Sequence, residues 1–202
     1  KKITCFMPFS GKDSTGLTIQ SLQSSELVAG ILIAGTADPG FDNRGQRIPF
    51  IKSDGFSSTG TLKKIAESTS SEFILIYSKP FPLDLGRYAL ERMVQICEMT
   101  GAGMVYSGYY ENKENKLSAH PVIDYQEGSL RDDFNFGSVI LYKTSAFRDA
   151  CSMMTQDFRF AGIYDLRLKI SQEHTLVHIP ELLYTEIEPD TRKSGEKQFD
   201  YV

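Results

Sequence analysis

The sequence predicts an α/β fold, built on a mainly parallel central sheet flanked by helices. Two observations carry this prediction: short unbroken apolar runs recur along the first half of the 202-residue chain, and segments of helical length separate them. A strand buried on both faces reads as a continuous apolar run, and neighbouring parallel strands need a crossover connection, usually a helix. The predicted order, β-α-β-loop-β-α-β-α-β, therefore indicates a parallel sheet with right-handed crossovers.

The elements of the first half follow from these runs. The predicted strands are residues 3–9, 28–35, 48–53, 72–78 and 103–110. Between them, we expect helices over residues 17–25, 58–69 and 83–102. Ser58 or Thr59 is suited to cap the second helix, and Gly101 is suited to end the third. The polar segment SGKDSTG before the first helix is expected to open it through a Ser or Asp cap.

The second half is less regular. Residues 111–117 resemble a polar hairpin, and residues 138–154 predict a strand that leads into a helix. Residues 163–174 predict a further helix, and residues 175–190 predict a strand, a turn and a second strand. No clean domain boundary is visible. The last ten residues, KSGEKQFDYV, carry no cap or terminator, so we expect a domain cut from a longer chain.

Composition limits the classes of function. The formal net charge of −4 argues against nucleic acid as the main partner, because affinity for a polyanion comes from Lys and Arg. The odd number of cysteines (Cys5, Cys97 and Cys151) and their wide spacing argue against disulfides and zinc, and favour buried free thiols. The sequence contains no run of 18 apolar residues, so it predicts no transmembrane helix. These features predict a cytoplasmic location.

An ordered series of segments resembles the family 2 type of glycosyltransferase, which has the GT-A fold. ITCFMPFS resembles its opening strand, VAGILIAGTAD its second strand, and SSEFILIYSKPFPLDLGRYAL its metal-binding strand and the helix that follows. FGSVILYKTSAFRD, AGIYDLRLKIS and TLVHIPELLYTE are similar to the acceptor-side strand, acidic helix and closing strand, in that order. The resemblance covers nearly the whole chain. It implies one GT-A-like domain over residues 1–202, with a nucleotide-binding half (about 1–110) and an acceptor-side half (about 111–202).

The resemblance also implies partners and site residues. The expected donor is a nucleotide sugar of the UDP or GDP type, and the expected acceptor is a glycan or a lipid-linked acceptor. The setting that the resemblance suggests is bacterial polysaccharide biosynthesis. The residues it places at the nucleotide lie at strand ends. They are Pro8, Phe9, Ser10, Gly35, Thr36, Asp38, Asp54, Ser78 and Lys79.

The acidic motifs of the family are missing from their usual places. Ile33-Ala34 stands where acidic residues contact base and ribose, and Tyr77-Ser78-Lys79 stands where Asp-x-Asp holds the metal. Gly162-Ile163 stands where Glu-Asp supplies the catalytic base. Mg²⁺ or Mn²⁺ therefore has no recognisable ligand set, and no metal-binding residue is assigned. Lys79 offers a positive charge for a diphosphate instead.

Several candidates have an ordinary structural interpretation beside the functional one. Lys79 is equally a solvated loop lysine, and Asp54, followed by Gly55, is typical of a turn. Asp132 and Asp133 are candidate catalytic carboxylates, and a helix cap or surface ion pair explains them as well.

Asp165 is the third catalytic candidate, although it matches the family's helix rather than its base. His174 and His178 are four residues apart but span a predicted helix-to-strand turn, which argues against a metal pair.

Three functions remain open. The first is transfer of a sugar from a nucleotide donor. The second is a GT-A-like domain without catalysis that serves binding or assembly in a larger glycosyltransferase, which the loss of three motifs favours. The third is a sugar nucleotidyltransferase, for which FSGKDSTG is a poor match to the Gly-rich first loop.

Overall fold

The computed structural model describes residues 1–126 and 134–188, and its central feature is a nine-stranded mixed sheet. The strands are β1 (Ile3–Pro8), β2 (Val28–Gly35), β5 (Phe50–Lys52), β6 (Phe73–Tyr77), β7 (Leu83–Leu85), β8 (Met104–Lys113), β9 (Lys116–His120), β10 (Val139–Lys143) and β11 (Leu176–Glu188). β3 (Asp42–Asn43) and β4 (Gln46–Arg47) form a separate small hairpin. The helices are α1 (Lys12–Leu22), α2 (Thr59–Glu67), α3 (Ala89–Thr100), α4 (Thr144–Met153) and α5 (Gly162–Glu173).

The order of strands across the sheet is β5-β2-β1-β6-β10-β8-β11-β7, and β9 pairs with the outer part of β8. The four strands β5, β2, β1 and β6 are parallel, as the sequence predicts. β10 runs antiparallel between β6 and β8. β8 and β11 are parallel to each other, and β7 closes the far edge in the antiparallel direction. The predicted α/β sheet flanked by helices is confirmed, with β10 and β7 as antiparallel members.

Each face of the sheet has its own core because successive side chains of a strand point to opposite sides. One face packs against α1 and α3, and includes Cys5 and Cys97. The other packs against α2, α4 and α5, and includes Cys151. All three cysteines are free and buried, which confirms the interpretation of their sequence context.

The predicted start of the third helix, at residue 83, is wrong. Residues Leu83–Leu85 form β7, which pairs with β11, and the helix begins only at Ala89. Side chains of α1 hold this strand in place: the Leu83 N–H donates to Thr18 Oγ1 at 3.1 Å, and the Leu85 N–H to Ser21 Oγ at 2.7 Å. Tertiary hydrogen bonds of this kind override a helical pattern of leucines.

Two other details differ from the sequence prediction. Residues 176–188 form one strand, β11, with register shifts on both sides of Leu182 instead of a turn. A bulge of this kind accommodates Pro180, which has no N–H for the ladder. α1 begins at Lys12 after Gly11, without a side-chain cap, so the expected Ser or Asp cap is absent. Ser58 does cap α2, accepting from the Thr61 N–H at 3.2 Å, and Gly101 ends α3 in the left-handed conformation.

Candidate functional site

Most of the predicted site residues lie where the parallel strands end, along the edge of the sheet that these carboxyl ends form. Ligands of open α/β sheets bind outside this edge. Pro8 is the last residue of β1 and pairs with Ala34, and Gly35 is the last residue of β2. Ser78 directly follows β6.

Two contacts with neighbouring elements fix the loop after β1. The Phe9 ring packs against the Phe41 ring, with 5.8 Å between ring centres. The Ser10 N–H donates to Thr15 Oγ1 at 3.1 Å, which fixes the loop against the first turns of α1. Both side chains are half-buried at the sheet edge.

Asp38 is occupied by contacts within its own loop. Its Oδ1 accepts from the Gly40 N–H at 2.9 Å, and its Oδ2 forms an ion pair with Arg47 Nη2 at 2.7 Å. Arg47 belongs to the β3–β4 hairpin, so Asp38 anchors this hairpin beside the sheet edge.

Thr36 and Asp54 line a cavity of about 420 Å³ at the ends of β2 and β5. Its other walls are the start of α2 (Ser58 and Gly60) and the loop between α4 and α5 (Asp157 and Arg159). The position of this loop is fixed by the first residue of α2. The Thr59 N–H donates to the Phe158 carbonyl at 2.9 Å, and Thr59 Oγ1 accepts from the Phe158 N–H at 3.1 Å.

At the end of β6, Ser78 is joined to the start of β10. Its N–H donates to the Ser138 carbonyl at 3.0 Å. The N–H groups of Ser138 and Val139 both donate to Tyr184 Oη, at 2.7 and 3.3 Å. Gly137 makes this approach possible, since its φ is +73° and an added Cβ would collide with the Tyr184 hydroxyl. Lys79 follows Ser78 and is exposed.

A second set of polar side chains lies on the parts of β8, β9 and β11 that extend past β10. The Tyr109 ring stacks between Tyr184 and His120, at 5.4 and 5.1 Å between ring centres. Glu111 Oε2 lies 3.4 Å from His120 Nε2. Glu186, two residues after Tyr184, is buried, and desolvation raises its pKa while Lys79 acts in the opposite direction. The Ser138 hydroxyl first, and then the charge of Lys79, favour the ionised form of Glu186 against this burial.

The start of α5, where the family resemblance would place a catalytic base, has no space for a side chain. A Cβ on Gly162 would lie 2.6 Å from the Ser57 carbonyl oxygen and 2.7 Å from the Thr59 nitrogen. Helix α5 thus begins in direct contact with the backbone before α2, with no room for a side chain at 162. Asp165, one turn along, forms an ion pair with Lys169 at 3.3 Å. Asp132 and Asp133 lie outside the described residues.

The residues at the end of β6 do not fit Mg²⁺ or Mn²⁺. Such ions bind carboxylate and carbonyl oxygens, and the strand ends in Tyr77, Ser78 and the cation Lys79. Within residues 1–126 and 134–188, no group of three His, Cys, Asp or Glu side chains could hold a metal. His174 ends α5, whereas His178 lies on β11 with Nδ1 2.8 Å from Asp124 Oδ1.

Sequence reasoning missed two charged residues of this edge, Arg159 and Glu186. Arg159 lies in the irregular segment between two helices. Its only signal in the sequence is that it is a basic residue between two aromatic ones. Glu186 is one acidic residue in a strand of alternating character, and in such a pattern an acidic residue indicates a solvent-facing position.

Comparisons with known proteins support the fold. Neither a protein-family model nor a curated protein sequence matches the chain. Among solved structures, the glycosyltransferase TarS of S. aureus (residues 1–349) superposes with a TM-score of 0.63 at 7% identity, over 93% of this chain and 60% of that one. Its complex with UDP-GlcNAc gives 0.63 at 9% identity, over 98% and 62%. The chain has a GT-A-like fold.

A second kind of neighbour carries the same fold. The 4-diphosphocytidyl-2C-methyl-D-erythritol synthase of Anaerococcus prevotii matches with a TM-score of 0.56 at 9% identity, over 89% of this chain and 86% of that one. The GT-A-like chain spans about 60% of the TarS structures. Among its described residues, no helix is long and apolar enough to cross a membrane.

Proposed function

We propose that this chain is the donor-binding domain of a family 2-type glycosyltransferase, which transfers a sugar from a UDP-type nucleotide sugar to a glycan acceptor. The observation that carries the proposal is the placement of a cavity and a lysine on one sheet edge. The cavity lies at the end of β5 and Lys79 at the end of β6, three strand spacings apart, or about 14 Å. An extended nucleoside diphosphate spans a comparable distance.

The two ends of this site suit the two ends of the ligand. The cavity offers carboxylate and guanidinium groups, from Asp54 and Arg159, for the hydrogen-bonding groups of a nucleoside. Lys79 offers a positive charge where the diphosphate would lie. As the bond between the sugar and the diphosphate breaks, negative charge develops on the leaving group, and Lys79 would stabilise it in place of a metal ion.

Calorimetric titration tests this proposal. We expect UDP and UDP-GlcNAc to bind without Mn²⁺, and GDP and CTP to bind more weakly. Lys79→Ala should weaken UDP-GlcNAc binding by about 10- to 100-fold, since a hydrogen bond to a charged group contributes about 1.5 to 3 kcal/mol. Lys116→Ala is the matched control, because Lys116 is an exposed lysine at the start of β9. Unchanged affinity in Lys79→Ala would contradict the role of Lys79.

A second candidate is a domain that binds the nucleotide sugar but does not transfer it. The closed backbone contact at Gly162 favours it, because the family's base position holds no carboxylate and has no room for one. Release of UDP from UDP-GlcNAc in the presence of glycan acceptors separates the two candidates. Turnover supports the transferase, and binding without turnover supports the binding domain. Tight binding of CTP instead would favour a nucleotidyltransferase.

A further inference from the structure

Glu186 is a buried acidic residue with unusual surroundings. Only 3% of its surface is exposed, and its Oε1 has no hydrogen-bond partner among the described residues. Burying a charged group without full compensation is costly, and the ionised form is the one that is penalised. Burial accordingly raises the pKa of the Glu186 carboxyl. Its retention in this position needs a reason beyond packing.

Charged and polar groups face Glu186 from every neighbouring part of the sheet. Lys79 after β6 and His120 on β9 favour its ionised form, and so does the Ser138 hydroxyl before β10. Glu111, its register partner on β8, disfavours it. Lys79 is the one exposed cation of this group that lies at the proposed diphosphate position, so its charge is the one that a ligand would neutralise.

The remaining neighbours do not compete for the proton. Tyr184, on the same strand, and Tyr77, at the end of β6, both have raised pKa values because they are buried. On its other side, Glu186 pairs with Leu83 of β7. Both phenols therefore stay neutral around physiological pH.

We propose that Glu186 is a positioning residue of the nucleotide site that takes up a proton from solvent when the diphosphate of a nucleotide sugar engages Lys79. This inference rests on the proposed function. In the free protein, Lys79 supports the charge of Glu186. The bound diphosphate offsets the charge of Lys79, so the buried carboxylate loses part of the support for its ionised form and takes up a proton more readily, which reduces its repulsion of the diphosphate. The proton is transferred from buffer to a Glu186 carboxylate oxygen, and no other bond changes.

Calorimetry in buffers of different ionisation enthalpy measures this proton directly. UDP-GlcNAc is the probe because its diphosphate is esterified at both ends and has no group that titrates near neutral pH. At pH values above the ordinary carboxyl range, we expect wild-type protein to take up a fraction of a proton, at most about one, for each UDP-GlcNAc bound. Glu186→Gln should bind UDP-GlcNAc and lose this uptake.

Glu188→Gln is the matched control, because Glu188 lies on the same strand but pairs with Lys113 at 3.0 Å. It should show the wild-type uptake. Binding of UDP-GlcNAc by wild-type protein without proton uptake would overturn the inference. Uptake that persists in Glu186→Gln would assign the proton to another group and overturn it as well. Absence of any binding heat would instead refute the nucleotide site itself.

Discussion

The contact between α5 and the start of α2 makes Gly162 the most informative position to change. In Gly162→Ala, the added Cβ would lie 2.6 Å from the Ser57 oxygen, 2.7 Å from the Thr59 nitrogen and 2.9 Å from the Ser58 carbonyl carbon. All three are backbone atoms, so no rotation of a side chain relieves the contact. One helix must move away from the other.

The cost follows from the contacts that this movement disturbs. Overpacking of a well-packed site costs about 1 to 3 kcal/mol, and three backbone contacts place this site at the upper end. The two hydrogen bonds between Thr59 and Phe158 would lengthen, which adds about 1 kcal/mol. The better helix propensity of alanine offsets up to about 1 kcal/mol of this loss in stability. We therefore expect Gly162→Ala to lower the free energy of unfolding by about 3 kcal/mol.

Thermal and urea denaturation measure this loss. For a chain of this size, about 3 kcal/mol corresponds to a decrease in Tm of about 6 to 12 °C. Gly60→Ala is the control, because a Cβ at Gly60 meets no described atom within 4 Å, and it should be neutral or slightly stabilising. If Gly162→Ala were as stable as wild type, the helices would not pack as described, and a carboxylate at this position would be possible after all.

Three further changes test the region around Tyr184. Tyr184→Phe leaves the buried N–H groups of Ser138 and Val139 without their hydroxyl acceptor, and should cost about 1 to 3 kcal/mol in thermal denaturation. An unchanged Tm would show that these groups find another acceptor. Gly137→Ala should destabilise by about 1 to 3 kcal/mol, because the left-handed backbone and the Tyr184 hydroxyl both exclude a Cβ. Wild-type stability of this variant would refute that packing. Glu186→Gln should gain stability relative to wild type as pH rises from about 4.5, since a raised pKa means that the folded state binds more protons and loses stability with rising pH. A stability difference between Glu186→Gln and wild type that does not vary with pH would contradict burial of a titrating carboxyl.

The sequence predicted the parallel half of the sheet well because its central strands, β1 and β6, are buried on both faces and its other strands are also largely apolar. Runs such as 73–77 are apolar throughout, as is typical of strands covered by helices on both sides. It did not predict that Leu83–Leu85 pair with β11, because the hydrogen bonds from α1 that hold this strand come from residues about 65 positions away. Local periodicity contains no information on such contacts.

The candidate site was predicted where residues follow strands, and missed where residues are brought in from elsewhere. Thr36 and Asp54 were named because a strand end is visible in the sequence, and the two line one cavity. Arg159 reaches the same cavity from a loop whose position depends on the contact with Thr59. The sequence shows a glycine at 162, but not that the start of α5 touches the backbone before α2 there, since only the structure shows this contact.

The reactivity of the three buried thiols reports local opening of the fold. Thiol reagents attack the thiolate, and burial raises the pKa of Cys97 to about 11 and that of Cys151 to about 12, and raises the pKa of Cys5 as well. Each thiol therefore reacts only when its surroundings open. Cys97 belongs to α3 on one face, and Cys151 to α4 on the other. Their separate labelling rates would time the release of each helical layer from the sheet, with Cys5 marking exposure of the central strand β1.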